Sequence, residues 1–127
     1  GCDGFVGSHL SASLSRIQNC TLTRVNRKNY REKITDKYEI IINTATPSRR
    51  FWAKKFPDQD FSATVAFTSE LINNWQFDKI IHISSVSARS QLDTVYGRHK
   101  AAAEKLVDLS NSLIETSTAS PSHSLVA

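Results

Sequence analysis

The sequence predicts an α/β fold built on a doubly wound parallel sheet. Along its 127 residues, apolar β-rich segments alternate with helical segments, which is the pattern of repeated βαβ units. The segment 38–43 contains the continuous apolar run Ile40–Ile42, as expected for a strand that a parallel sheet buries on both faces, and the segment 78–84, with Ile80 and Ile81, predicts another buried strand. Three of the four glycines stand at positions 1, 4 and 7, and this spacing is typical of a tight turn that leads into a helix.

Each predicted element follows from its local pattern. Residues 5–18 are predicted to form a helix, because apolar side chains recur there at helical spacing in one stripe: Val6, Leu10, Leu14 and Ile17. The segment 20–25 is β-rich and predicts a strand, whereas the polar segment 26–37 predicts a loop or a short helix. The remaining elements are the two apolar strands and two helices, at 60–74 and 96–109.

A glycine turn of this kind needs a strand in front of it to hold it in place. The chain begins at Gly1, the first glycine of the turn, and it contains no methionine. We therefore expect the first strand of the sheet to be missing, so that the chain resembles a fragment of a longer protein. A missing central strand would leave an unpaired backbone edge.

Composition narrows the class of protein. Hydrophobic residues make up 39% of the chain and the formal charge is +4, as in globular proteins with a real core. No apolar run approaches the roughly 20 residues that span a bilayer. Cys2 and Cys20 have neither metal nor disulfide spacing, which favours a reducing cytoplasm. The four histidines show no ligand pairing, so we predict no metal site.

Two motifs indicate chemistry. The run Gly1-Cys2-Asp3-Gly4-Phe5-Val6-Gly7 stands ahead of a predicted helix, where backbone N–H groups and the positive helix end can hold a pyrophosphate. Tyr96 and Lys100 lie one helical turn apart and share a helix face. An ammonium beside a phenol favours the phenolate, and such a tyrosine can move a proton to or from a substrate oxygen. Each motif alone is weak evidence for a functional site, but the order of the two motifs along the chain makes the combined evidence stronger.

Together these residues resemble the extended short-chain dehydrogenase/reductases, the NAD-dependent epimerase/dehydratase family, over residues 1–109. The resemblance implies a Rossmann-like sheet. It also implies that the cofactor is held by the glycine turn and its continuation: Gly1, Gly4, Phe5, Val6 and Gly7. It assigns catalysis to Tyr96, Lys100 and a serine. Ser85 is the first choice, because the family's active hydroxyl stands at the third position after the residue that matches His82, and Ser84 is the alternative.

The resemblance divides the chain into a partial dinucleotide-binding domain, 1–114, and an atypical Ser/Thr-rich tail, 115–127. Three departures indicate an atypical subgroup. Thr64 stands where the family has asparagine, and Arg89-Ser90 replace its Tyr-Gly. Only residues 28–38 separate Arg27 from Glu39, too few for the family's third strand.

The segment after the first helix predicts the cofactor. NAD-preferring relatives place an acid about 20 residues past the glycine turn to hold the ribose 2′-hydroxyl. Here no Asp or Glu occurs between Gly4 and Arg31, and the segment instead supplies Arg24, Asn26, Arg27 and Lys28. A guanidinium can hold a 2′-phosphate through two charge-assisted hydrogen bonds. We therefore expect NADP in preference to NAD, with Arg27 as the first candidate for this contact and Arg24 as the second.

These features predict an NAD(P)-dependent oxidoreductase, epimerase or dehydratase that acts on a nucleotide-sugar-like substrate. Thr44 and Ala45, directly after a buried strand, are assigned to the same cofactor site. If the protein forms a homodimer, the resemblance places the contact on helices 60–74 and 96–109.

Two other interpretations stay open. A non-catalytic dinucleotide-binding module that senses redox state would need the glycine turn, but not Ser85, Tyr96 and Lys100. A nucleic-acid-binding module could use the basic clusters, but no recognised nucleic-acid motif accompanies them. We expect neither a nucleic-acid nor a membrane partner.

Overall fold

The computed structural model describes residues 1–114 and 124–126, which form a mixed α/β fold with a small parallel sheet. In chain order its elements are α1 (Phe5–Leu14), β1 (Thr21–Thr23), α2 (Tyr30–Lys33), β2 (Lys37–Asn43), α3 (Arg50–Lys55), α4 (Pro57–Phe61), a π-helical turn (Ser62–Ala66), α5 (Phe67–Asn74), β3 (Gln76–His82), α6 (Ser87–Ser90), α7 (Val95–Ile114) and β4 (Ser124–Val126). Within these residues, no helix is long and apolar enough to cross a membrane.

The sheet is parallel throughout, and its strand order is β1-β4-β2-β3. The two long strands, β2 and β3, pair along their length, with Ile41 opposite Ile80. Both of these side chains are buried, but Ile81 of β3 is 40% exposed, so the prediction of burial on both faces is correct for β2 and wrong for β3. The alternation of parallel strands with helices is therefore confirmed at this coarse level.

The central position of the sheet is filled by β4. Leu125 pairs with Leu22 of β1 on one side and with Ile40 of β2 on the other. The edges of β1 and β2 at this position are therefore paired, contrary to the prediction of an unpaired edge, whereas the prediction that a strand ahead of Gly1 is missing stays a prediction. Residues 124–126 of the predicted tail form this strand, and a three-residue strand depends on its neighbours more than on its own pattern.

The hydrophobic core lies between the long strands and the helices packed on them. Tyr38, Ile41, Leu71, Trp75, Ile80 and Val107 belong to one buried cluster. The rings of Tyr38 and Trp75 lie 5.6 Å apart between centroids, which brings β2 against the end of α5. This packing fixes the strand ends, and the strand ends carry the loops of the candidate site.

Helix α1 packs through small residues. Gly7 and Ser11 are buried, whereas Val6 and Ile17 are 46% and 53% exposed. The predicted apolar stripe is therefore wrong, and the helix ends at Leu14 instead of residue 18. The buried face of α1 is formed by small residues because the helix packs closely there: a Cβ atom on Gly7 would overlap the carbonyl oxygen of Gly1.

The predicted helix 60–74 begins earlier, at Pro57, a residue that suits the first turn of a helix. It passes through the π-helical turn Ser62–Ala66 before α5. The Thr68 hydroxyl donates to the carbonyl of Thr64 at 2.7 Å, and both residues are fully buried. This part of the helix packs against α7, which places Asp60 next to the chain segment that carries Tyr96 and Lys100.

Candidate active site

A cleft of about 780 Å³ opens at the carboxyl ends of the strands. Its lining includes segments that follow three different strands: Asn26–Lys28 after β1, Thr44–Arg49 after β2 and Ile83–Ser84 after β3. The start of α1 and two side chains of α7, Tyr96 and Lys100, complete it. In open parallel α/β sheets, ligands bind outside these carboxyl ends.

The glycine turn forms one wall of the cleft. The N–H groups of Gly1 and Cys2 both donate to the carbonyl of Val25, at 3.0 and 3.3 Å, which holds the turn against the end of β1. Helix α1 follows without a side-chain cap from any described residue, and its first turn contains no acid. Its first backbone N–H groups are thus available for an anion at the positive end of the helix.

Asp3 connects the glycine turn to the loop after β1. Its carboxylate accepts hydrogen bonds from the Asn26 side-chain nitrogen at 2.9 Å and from the Cys2 thiol at 3.4 Å. Burial, with the Asp3 hydrogen bond, raises the pKa of the Cys2 thiol, which keeps the thiol protonated as a donor. The Asn26 side-chain oxygen accepts the backbone N–H of Lys28 at 2.9 Å. Asn26 lines the cleft, and its side-chain amide is hydrogen-bonded within the loop and to Asp3.

The basic residues predicted for the cofactor separate into two groups. Arg27 and Lys28 are exposed and line the cleft, whereas Arg24 is exposed and does not line it. A second cleft of about 930 Å³ shares part of its lining with the first: Gly1, Asn26, Arg27, Lys28 and Ala45. It continues past Tyr30 and Phe67 to Glu70. The loop Asn26–Lys28, called the basic loop below, thus lies where the two clefts meet.

Helix α7 brings Tyr96 and Lys100 together. Both are buried, at 5% and 3% exposure, and the Lys100 Nζ atom lies 5.3 Å from the centre of the Tyr96 ring. The ammonium donates a hydrogen bond to Thr46 Oγ1 at 2.7 Å. Burial lowers the pKa of Lys100 to about 8, and attraction by the Asp60 carboxylate acts in the opposite direction. Lys100 is therefore still mainly charged at neutral pH.

The two candidate serines lie in different surroundings. Ser84 lines the cleft with Tyr96 and Lys100, and its Oγ is a buried atom without a hydrogen-bond partner among the residues described. Ser85 Oγ instead accepts the backbone N–H of Ser87 at 3.2 Å, in the turn before α6. Strand β3 ends at His82, two residues before the predicted end, so both serines lie in this turn.

A polar pair supports the loop after β2. The Asn43 side-chain nitrogen donates to His82 Nδ1 at 3.2 Å, and the Asn43 oxygen accepts the backbone N–H of Ala45 at 3.1 Å. Burial lowers the pKa of His82, and the nearby charge of Lys100 lowers it further, which favours a neutral ring. Thr44 and Ala45 line the cleft, and the hydrogen bond from the Ala45 backbone to Asn43, which sequence patterns did not reveal, holds them there.

Asp60 and His99 form a second polar pair that the sequence did not reveal. His99 Nδ1 donates to Asp60 Oδ2 at 2.6 Å, and Asp60 is fully buried. The other carboxylate oxygen of Asp60 has no hydrogen-bond partner within residues 1–114 and 124–126. Because His99 precedes Lys100 on α7, the pair fixes this part of the helix beside the cleft.

Replacing Asp60 with Ala is expected to lower the free energy of unfolding by about 2 to 3 kcal/mol, because it removes a buried hydrogen bond to a charged group. Urea unfolding measures this change. Asp58→Ala is the matched control, since Asp58 is exposed on the same helix and contributes at most about 1 kcal/mol through the helix dipole. Equal losses in the two variants would contradict the role of the pair.

Comparison with known proteins gave no match to a family model, to a curated protein or to a solved structure.

Proposed function

We propose that this protein is an NADP(H)-dependent oxidoreductase, epimerase or dehydratase of the extended short-chain dehydrogenase/reductase type. The observation that carries the proposal is a single cleft lined by the glycine turn, by the basic loop after β1 and by the Tyr96–Lys100 pair. These three features come from separate parts of the sequence, so proximity along the chain does not explain why they line one cleft. The substrate that the resemblance favours is nucleotide-sugar-like.

The lining residues fit a dinucleotide. The uncapped start of α1 suits the pyrophosphate, and Arg27 and Lys28 suit a 2′-phosphate. The second cleft, bounded by Tyr30 and Phe67, offers apolar walls for the adenosine half. The nicotinamide half then belongs at the end occupied by Tyr96 and Lys100. When bound, the cofactor supplies hydride transfer.

The side chains divide the remaining work. Tyr96 exchanges a proton with a substrate oxygen, and the Lys100 ammonium lies over the Tyr96 ring. The hydrogen bond to Thr46 positions that ammonium. Ser84 or Ser85 holds the substrate oxygen, and the buried hydroxyl of Ser84, which no protein group engages in the described structure, suits this role.

The sheet order supports a doubly wound arrangement. The common order is 3-2-1-4-5-6, and the sequence leaves no room for the third strand. The order β1-β4-β2-β3 corresponds to strands 2-1-4-5 if β4 takes the place of strand 1. In that arrangement the glycine turn lies at the centre of the sheet, next to the point where the strand order reverses.

Titration of NADPH and NADH against the protein tests the cofactor. We expect NADPH to bind at least about tenfold more tightly, and Arg27→Ala to remove most of that difference, because a charge-assisted pair is worth roughly 1.5 to 3 kcal/mol. Arg24→Ala is the control, since Arg24 does not line the cleft. Tighter NADH binding would contradict the preference for NADP. A larger effect from Arg24→Ala would move the phosphate contact to that residue, and a lack of binding by either cofactor would contradict the proposed function.

A further inference from the structure

Strand β1 reaches the rest of the described sheet through β4. In the strand order β1-β4-β2-β3, β4 lies between β1 and β2 and pairs in parallel with both. Thr23 and Ile41 are its two neighbours at the position of Val126. The pairing of β4 therefore joins β1, and with it the basic loop, to β2 within the described sheet.

Gly1 lies in line with β4, beyond the carboxyl end of that strand. Val126 is level with Thr23, and two positions past Thr23, just beyond the end of β1, stands Val25, whose carbonyl accepts hydrogen bonds from Gly1 and Cys2. On the other side, Gly1 lies directly against Thr44, just beyond the end of β2. Gly1 thus lies between the same two neighbouring strands as Val126, and further along in the strand direction.

The sequences of the two segments fit this geometry. The segment Ser124-Leu125-Val126-Ala127 contains apolar residues that suit a strand between two others, and Gly1-Cys2-Asp3-Gly4 begins the turn into α1. A phosphate-binding turn is held by the strand that enters it. In this protein the only described strand that aligns with the glycine turn is β4.

We propose that β4 is the anchoring strand of the glycine turn. Ser124–Val126 and Gly1–Gly7, although far apart in the sequence, act as one strand–turn–helix unit, and the segment that fills the central position belongs to the same chain. The alignment of the helix α1 N–H groups with the cleft then depends on the pairing of β4 with β1 and β2.

The first test is amide hydrogen exchange of the full chain. The amides of Leu125 and Val126 are expected to exchange as slowly as those of Ile41 and Ile42 in β2, because both segments would be interior strands. Exchange at the rate of an unfolded peptide would overturn the proposal.

The second test moves residues 121–127 in front of Gly1, so that Ala127 is bonded to Gly1. The rearranged chain is expected to melt cooperatively, at a temperature no lower than that of the original order. Leu125→Pro should lower the midpoint of the rearranged chain by more than about 5 °C, since proline cannot occupy an interior strand. Ser122→Pro, outside β4, is the matched control and should cause less than half of that shift.

Three outcomes would overturn the proposal. One is a lower melting temperature for the rearranged chain, and another is an equal effect of the two proline substitutions. The third is a change of oligomeric state, measured by sedimentation. Both chain orders are expected to have the mass of a monomer. A dimer that becomes a monomer on rearrangement would show that a second copy supplies the strand.

Discussion

Replacing Tyr96 with Phe is expected to reduce turnover by at least about a hundredfold, the usual scale for the loss of a positioned acid or base. The substitution removes only the hydroxyl, and the buried ring stays beside Lys100. NADPH affinity is therefore expected to change little. The measurement is the oxidation or reduction of the cofactor with a nucleoside-diphosphate sugar that the unmodified protein turns over, with NADPH binding titrated in parallel.

Tyr38→Phe is the control for this experiment. Tyr38 is also a buried tyrosine, and its hydroxyl donates to the carbonyl of Lys33 at 2.9 Å, outside the cleft. The control is expected to lose stability but to keep its turnover per folded molecule. Normal turnover by the Tyr96 variant would remove this residue from catalysis.

Gly97→Ala is expected to destabilise the fold strongly. A Cβ atom at this position would overlap the carbonyl oxygen of Gln91 and would come within 2.7 Å of the carbonyl oxygen of Ser87. Both contacts are backbone atoms, so α7 would have to move away from α6. We expect the free energy of unfolding to fall by about 3 kcal/mol, at the upper end for overpacking, and Tyr96 to lose its position in the cleft.

Urea unfolding measures this loss, with Gly4→Ala as the matched control. A Cβ atom on Gly4 would meet only the Gly1 carbonyl oxygen, at an ordinary 3.4 Å, and Gly4 has a φ of −75° that any residue can adopt. The control should therefore unfold at nearly the same urea concentration as the unmodified protein. Similar urea midpoints for both variants would show that α6 and α7 can move apart without a loss in the free energy of unfolding.

The parts of the fold that could be predicted from sequence are those with a local cause. The prediction for strand β2 is correct to within one residue, since the strand begins at Lys37. Its continuous apolar run can be recognised in the sequence without knowledge of the neighbouring strands. Strand β3 is displaced by two residues toward Gln76. That small displacement matters for chemistry, since it leaves Ser84 and Ser85 outside the strand, in different surroundings.

The parts that could not be predicted depend on contacts between distant residues. The hydrogen bond from Lys100 to Thr46 spans 54 positions, and the one between His99 and Asp60 spans 39. The short helices α3 and α6 also escaped prediction, because four to six residues give too little periodicity. The motif residues Tyr96 and Lys100 were found, but the groups that position them were not.

The central place of β4 sets an order of events during folding. Strands β2 and β3 meet across 39 positions, from Lys37 to Gln76, whereas Thr21 and Ser124 meet across 103. Closing the longer loop costs more chain entropy, and pairing between distant segments is slow. We therefore expect the β2–β3 pair to form early with the helices packed on it, while β1 stays detached until β4 arrives. The glycine turn proposed to bind phosphate would then reach its final position only at the last step, after the rest of the core has formed.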